Sequence, residues 1–90
     1  MTNADIHPAD LLPFVRRSGT GLNYWNVAES GDWASDNETG REYADTLVGQ
    51  MHETGFPGTL AHVVRAMVDH GAIGGIEVGF LNRIGEHAIG

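Results

Sequence analysis

Leu60, Val63, Val64, Met67 and Val68 recur at the one-face spacing of an amphipathic helix, and a glycine-rich corner, Gly71–Gly75, follows them at once. This pair of features constrains the chain most. The first predicts a helix over Thr59–His70, opened either by Thr59 as the cap or by Pro57 in the first turn. Gly71 suits the left-handed residue that ends it.

Beyond the corner, Ile76, Phe80, Leu81, Ile84 and Ala88 fit a second helical face, which predicts a helix over Gly75–Ala88. Ile76, Val78 and Phe80 also alternate with period two, so Ala72–Phe80 has a rival reading as a strand. The pattern continuing through Ile84 and Ala88 favours the helix. Gly79 and Gly85 each cost a helix about 1 kcal/mol relative to alanine, so packing must hold this segment. Gly75 and Gly79, four apart, would let another backbone approach closely.

Upstream, Ser35-Asp36-Asn37-Glu38 matches a capping box, and Tyr43, Ala44, Leu47, Val48 and Met51 trace one face behind it. These predict a helix over Asp36–Thr54. An alternative start extends it back through Asp32–Ala34, with Ser30 as the cap. Arg41 and Asp45 are spaced to pair along the helix. Near the N-terminus, Pro13 divides an apolar stretch. The expectation is a turn at Pro8–Leu12, then a short helical piece opened by Pro13 and closed by Arg16 and Arg17. Ser18–Gly21 reads as a loop. Leu22–Val27, aromatic and β-branched, reads as extended. Its partner would be Ala72–Phe80, the same segment of a second chain, or nothing more than a packed loop.

The predicted fold is mainly α, one small domain over residues 1–90. Three main helices follow a short N-terminal helical segment and one extended aromatic stretch. The helices would pack antiparallel to their neighbours around Leu47, Val48, Met51, Leu60, Val64, Met67, Phe80, Leu81 and Ile84. The alternative is α+β, with Leu22–Val27 paired to Ile76–Phe80.

Composition narrows function by exclusion. The chain has no cysteine, so disulfides, thiolate chemistry and Cys-type metal sites are absent. It has no lysine either, which removes Schiff-base chemistry and a phosphate-loop lysine. The net charge of −7 argues against nucleic acid and against anionic membrane surfaces. No apolar run reaches the length of a membrane span, and the first residues do not resemble a signal peptide. A cytoplasmic setting is the expectation. Ninety residues bury a modest core, so dimerisation would be a natural supplement. Charge is uneven: from Glu29 to Asp45, six carboxylates stand against one arginine.

Each candidate site has a structural alternative. Asp32, Asp36 and Glu38 offer oxygen ligands for a hard cation, but the same residues cap a helix and solvate a face. Arg16, Arg17, Ser18 and Thr20, in a glycine-bounded run, offer donors to an anion, but arginines ending a short helix before a loop explain them too. Tyr24, Trp25 and Trp33 suit a protein interface or a small core. The five histidines show no i, i+4 pair of metal-ligand type. His62 and Asp69 share a helical face, and His52 precedes Glu53, but no nucleophile or oxyanion hole is evident. No cofactor is implied. The expected function is a small acidic, non-enzymatic interaction or self-assembly module, partnered by its own copy or another protein. The alternatives are a domain binding an anion or metal, and a small enzyme using His62 or His52 with a carboxylate.

Overall fold

The computed structural model describes residues 11–19, 21–71 and 73–90. Within them the chain runs β1 (Arg16–Ser18), β2 (Gly21–Asn23), α1 (Trp33–Thr54), α2 (Gly58–His70) and α3 (Gly75–Ile89). Residues 8–10 of the turn expected at Pro8–Leu12, Thr20, and Ala72 at the start of the Ala72–Phe80 alternative lie outside the described residues. The fold is mainly helical, with a small two-stranded antiparallel sheet.

Three helices form where the apolar spacing predicts them, with changes at their starts. α1 takes the alternative, earlier start and begins at Trp33, but Asp32 rather than Ser30 or Ser35 is its cap and accepts the Ala34 amide at 3.2 Å. Ser35 instead donates its hydroxyl to Asp32 Oδ2 at 3.0 Å. Asp caps as well as Ser does, so the upstream residue takes the role. α2 starts at Gly58 behind Pro57, without a side-chain cap, and Thr59 is buried. Gly71 ends α2 at φ +85°, its amide donating to the Met67 carbonyl at 3.3 Å.

The strand expectations are corrected. Arg16 and Arg17 do not end a helix: they lie in β1, which pairs in register Arg16 with Asn23, Arg17 with Leu22 and Ser18 with Gly21. Of Leu22–Val27 only the first two residues are strand, Tyr24 is a bend and Trp25–Val27 is irregular, and Ile76–Phe80 is helical. Pro13 sits in a tight turn closed by the Val15 amide on the Leu12 carbonyl at 3.2 Å. Proline pre-sets the φ such a turn needs, and the chain then continues extended.

α1 and α3 run side by side in the same direction. Asp36 faces Gly75, Gly40 faces Ile76 and Phe80, and Asp45 faces Arg83 and His87. α2 carries the chain back from the end of α1 to the start of α3, so the principal helix contact is this parallel one rather than the antiparallel packing of neighbours expected. The close approach expected at Gly75 and Gly79 is made by α1. A Cβ on Gly79 would fall on the Asn37 carbonyl, and one on Gly40 would fall on the Ile76 carbonyl and 2.7 Å from the Phe80 amide nitrogen. Only glycine permits backbones that near.

The core forms beside this crossing. Phe14, Trp25, Tyr43 and Phe80 make a tilted, edge-biased cluster, with Trp25 and Phe80 centroids 5.0 Å apart. Leu12, Val15, Ala44, Leu47, Val63, Met67 and Ile76 complete it. Of the expected core, Leu47, Met67 and Phe80 are buried. Val48, Met51, Leu60, Val64 and Ile84 are half-buried, and Leu81 is 42% exposed. The periodicity marks the right helices but a wider stripe than this core uses.

Candidate functional site

The start of α3 gathers the most tightly held polar groups. Gly74 is its cap residue and has no side chain to satisfy the first-turn amides. Two glutamates supply what is missing. Glu77, at the third position of the helix, accepts the Gly74 amide through Oε1 at 2.7 Å, half of a capping box. Glu29, from the loop before α1, accepts the Ile76 amide at 3.2 Å, where a cap side chain would ordinarily sit. A Cβ on Gly74 would lie 2.5 Å from Glu29 Oε1, so glycine there makes room for that carboxyl.

Glu77 is 1% exposed, and its Oε2 accepts the Trp25 indole N–H at 2.7 Å. Burial pulls its pKa upward, but the hydrogen bonds from Trp25, Gly74 and Glu29 outweigh it and hold the carboxyl below its ordinary value. Glu29 moves the other way: burial, then the hydrogen bond and repulsion from Glu77 and the nearby Asp36, push it up against the Ile76 amide. The two carboxyls are thus pushed apart, Glu29 upward and Glu77 downward. The arrangement binds the loop to α3 and keeps a carboxylate inside with its lone pairs used.

Asp36 and Asp32 are also engaged structurally. Asp36 is buried and accepts the Ser30 amide at 3.0 and 3.1 Å and the Gly31 amide at 3.3 Å. The Ser30 bonds hold its pKa below the ordinary value. Asp32 caps α1, and Glu38 is exposed on its outer face. Among the described residues no three His, Asp or Glu side chains converge as metal ligands.

A second polar cluster stitches the middle of α1 to the C-terminal part of α3. Arg41 forks onto Glu86 at 3.1 and 3.0 Å; Arg83 reaches Asp45 at 2.7 Å and Glu86 at 2.8 Å. His87 lies 2.7 Å from Asp45. Arg41 and Asp45, expected to pair with each other, both turn to α3 instead. Paired arginine donors match a carboxylate there better than one helical neighbour would. Hydrogen bonds from Arg41 and Arg83 bring Glu86 down to about 2.

The remaining candidates separate. Strand geometry sends successive side chains to opposite faces, so Arg16 and Arg17 on β1 do not converge on one anion. Ser18 ends that strand, exposed. Trp25 is in the core rather than at a surface. Tyr24 is half-buried and stacks on His62, with centroids 4.9 Å apart and 17° between planes. Trp33, the first residue of α1, is 59% exposed.

The largest departure from the expected core is on α2. Thr59, Val63 and Met67 face inward, while Leu60, Val64 and Val68 form the neighbouring ridge, partly or largely uncovered. Val68 is 68% exposed. Phe56, 54% exposed, continues the ridge, its ring folded over Gly58 with Cζ 2.6 Å from where a Cβ would stand. Alongside, Val48, Met51, His52, Gly55 and Pro57 line an open groove of about 320 Å³. Compared with known families, characterised proteins and solved structures, the chain matches none. The α2 ridge is visible in the sequence as apolar spacing; Glu29 and Glu77 carry no motif.

Proposed function

We propose that this chain is a non-enzymatic protein-interaction module whose working surface is the Phe56–Leu60–Val64–Val68 ridge of α2 with the groove beside it. One observation carries the reading. An apolar stripe wide enough for a core-facing helix is written on α2, yet among the described residues only its Thr59, Val63 and Met67 side is buried, Leu60 and Val64 are half-buried, and Phe56 and Val68 are exposed. Contiguous uncovered apolar surface on a small domain marks a contact site. The polar clusters support the same reading, because their hydrogen bonds run to caps, loops and neighbouring helices. Trp33 adds a second exposed aromatic on α1. The cysteine-free composition suits a cytoplasmic setting.

The test is binding of Nile red, an uncharged apolar probe, by the native chain. Fluorescence should rise with the wild type and fall to background with Val68→Asp, at the exposed end of the ridge, at unchanged helical circular dichroism. A native chain that leaves the dye in water would end the proposal.

A further inference from the structure

We infer that α2 is a hinged flap: it swings off the α1–α3 pair as a unit, turning at the glycines that flank it, while that pair stays closed. This stands whether or not the ridge is a contact surface.

The attachments of the helices differ in kind. α1 and α3 are locked by backbone and by charge. Gly40 and Gly79 bring the two main chains together, Glu29 ties the loop before α1 to the Ile76 amide, and Arg41 and Arg83 hold Glu86 and Asp45 from the facing helix or their own. Among the described residues, no hydrogen bond or ion pair joins Gly58–His70 to another element. α2 is seated instead by the burial of Val63 and Met67 and by the ring of His62 stacked on Tyr24.

Open space lies at both of its ends. The groove of Val48, Met51 and Pro57 borders the first turn. A cleft of about 310 Å³ separates Ala66, Asp69 and His70 from Leu22, Asn23 and Tyr24. The chain turns at glycine on each side, with Gly55 at φ +69° and Gly71 at φ +85°, and Ile73, on the way to α3, is 60% exposed. A few element-terminal residues of this kind suffice to absorb a hinge motion. Elements seated by few buried groups open at lower free energy than the rest of a fold. Thirteen residues make a marginal helix once detached, so opening also frees the α2 amides.

Native-state hydrogen exchange of the full chain in increasing urea tests the flap. Amides of residues 63–67 should exchange about tenfold or more faster than those of residues 44–48 and 80–84, with a weaker urea dependence than global unfolding. The Arg41→Gln, Arg83→Gln double variant sharpens the comparison. It removes contacts that the open form keeps, so it should quicken exchange in α1 and α3 about threefold or more and leave α2 unchanged. One common rate for the three helices of the wild type, or an α2 quickened by the arginine changes as much as α1 and α3, overturns the inference.

Discussion

The Trp25 indole donates to Glu77 at 2.7 Å across fifty-two positions of sequence, tying the end of the extended segment to the first turn of α3. The bond joins the aromatic core to the cap of a helix that has no capping side chain of its own. Removing its acceptor should therefore be felt twice. Glu77→Ala leaves both the indole N–H and the Gly74 amide without a partner, and a loss of about 2–4 kcal/mol is expected from bonds of this kind. Glu77→Gln keeps an acceptor and should cost clearly less. Urea unfolding of the three proteins measures it; equal stabilities for Ala and Gln would contradict the capping role.

Glu29 gives the opposite sign. Its folded-state pKa is raised, so the folded chain binds that proton more tightly than the unfolded one. Stability should then decline as pH climbs above 4.5, until Glu29 has lost its proton beside Glu77 and Asp36. Glutamine retains a carbonyl for the Ile76 amide and cannot ionise. Melting temperatures of Glu29→Gln should exceed those of wild type at neutral and mildly alkaline pH, and the gap should close toward the acid side. A gap that stays constant with pH would count against a raised Glu29 pKa.

The acid limb belongs to other groups. Glu86, held at about 2, and Asp36, Asp45 and Glu77, all held below their ordinary values, contribute stability that is present above the unfolded carboxylate range. It is lost as pH falls through their folded values. In an Arg41→Gln, Arg83→Gln double variant, Glu86 should return to the ordinary range, and acid unfolding should begin at higher pH. Titration of the Glu86 side-chain carbon by NMR checks the cause directly; an unmoved midpoint would disconnect it from the two arginines.

The glycines of the helices divide into two kinds. Gly49 and Gly85 have nothing within 4 Å of the point where a Cβ would stand, so alanine there should stabilise by roughly 0.5–1 kcal/mol through helix propensity. Gly40→Ala and Gly79→Ala meet backbone of the facing helix and must force α1 and α3 apart, with an expected cost of about 1–3 kcal/mol or more. Thermal melts of the four single variants should rise for one pair and fall for the other. A common direction for all four would mean that the crossing is looser than the geometry implies.

Periodicity is a good guide where one face of a helix decides the matter. It places α1, α2 and α3, and the Gly75–Gly79 spacing signals the close crossing. It misplaces the inner edge of α2, pointing to Val64 as a core residue in place of Val63, because an apolar stripe shared between a core and an outer ridge has no marked boundary. The β1–β2 hairpin reads in the sequence as a helix end and a loop. Arg16-Arg17 has no strand character, and the usable signal is the pair of closely spaced glycines at the turn, of which Gly19 has φ +59°. Glu77 is hidden for another reason. A glutamate in a helical pattern reads as solvated, and nothing local reveals that Trp25 and Glu29 will reach it from far upstream.

The parallel crossing of α1 and α3 also fixes the order in which the molecule can assemble. Asn37 meets Gly79 and Gly40 meets Ile76 only after the whole intervening chain has doubled back, so the defining contact is a late, long-loop closure rather than a local event. Hairpin and single-helix formation are fast by comparison, and they leave the aromatic cluster incomplete until α3 arrives. The docking of this fifteen-residue helix is therefore a non-local contact, which a nascent chain can close only once α3 has been made and is free to move.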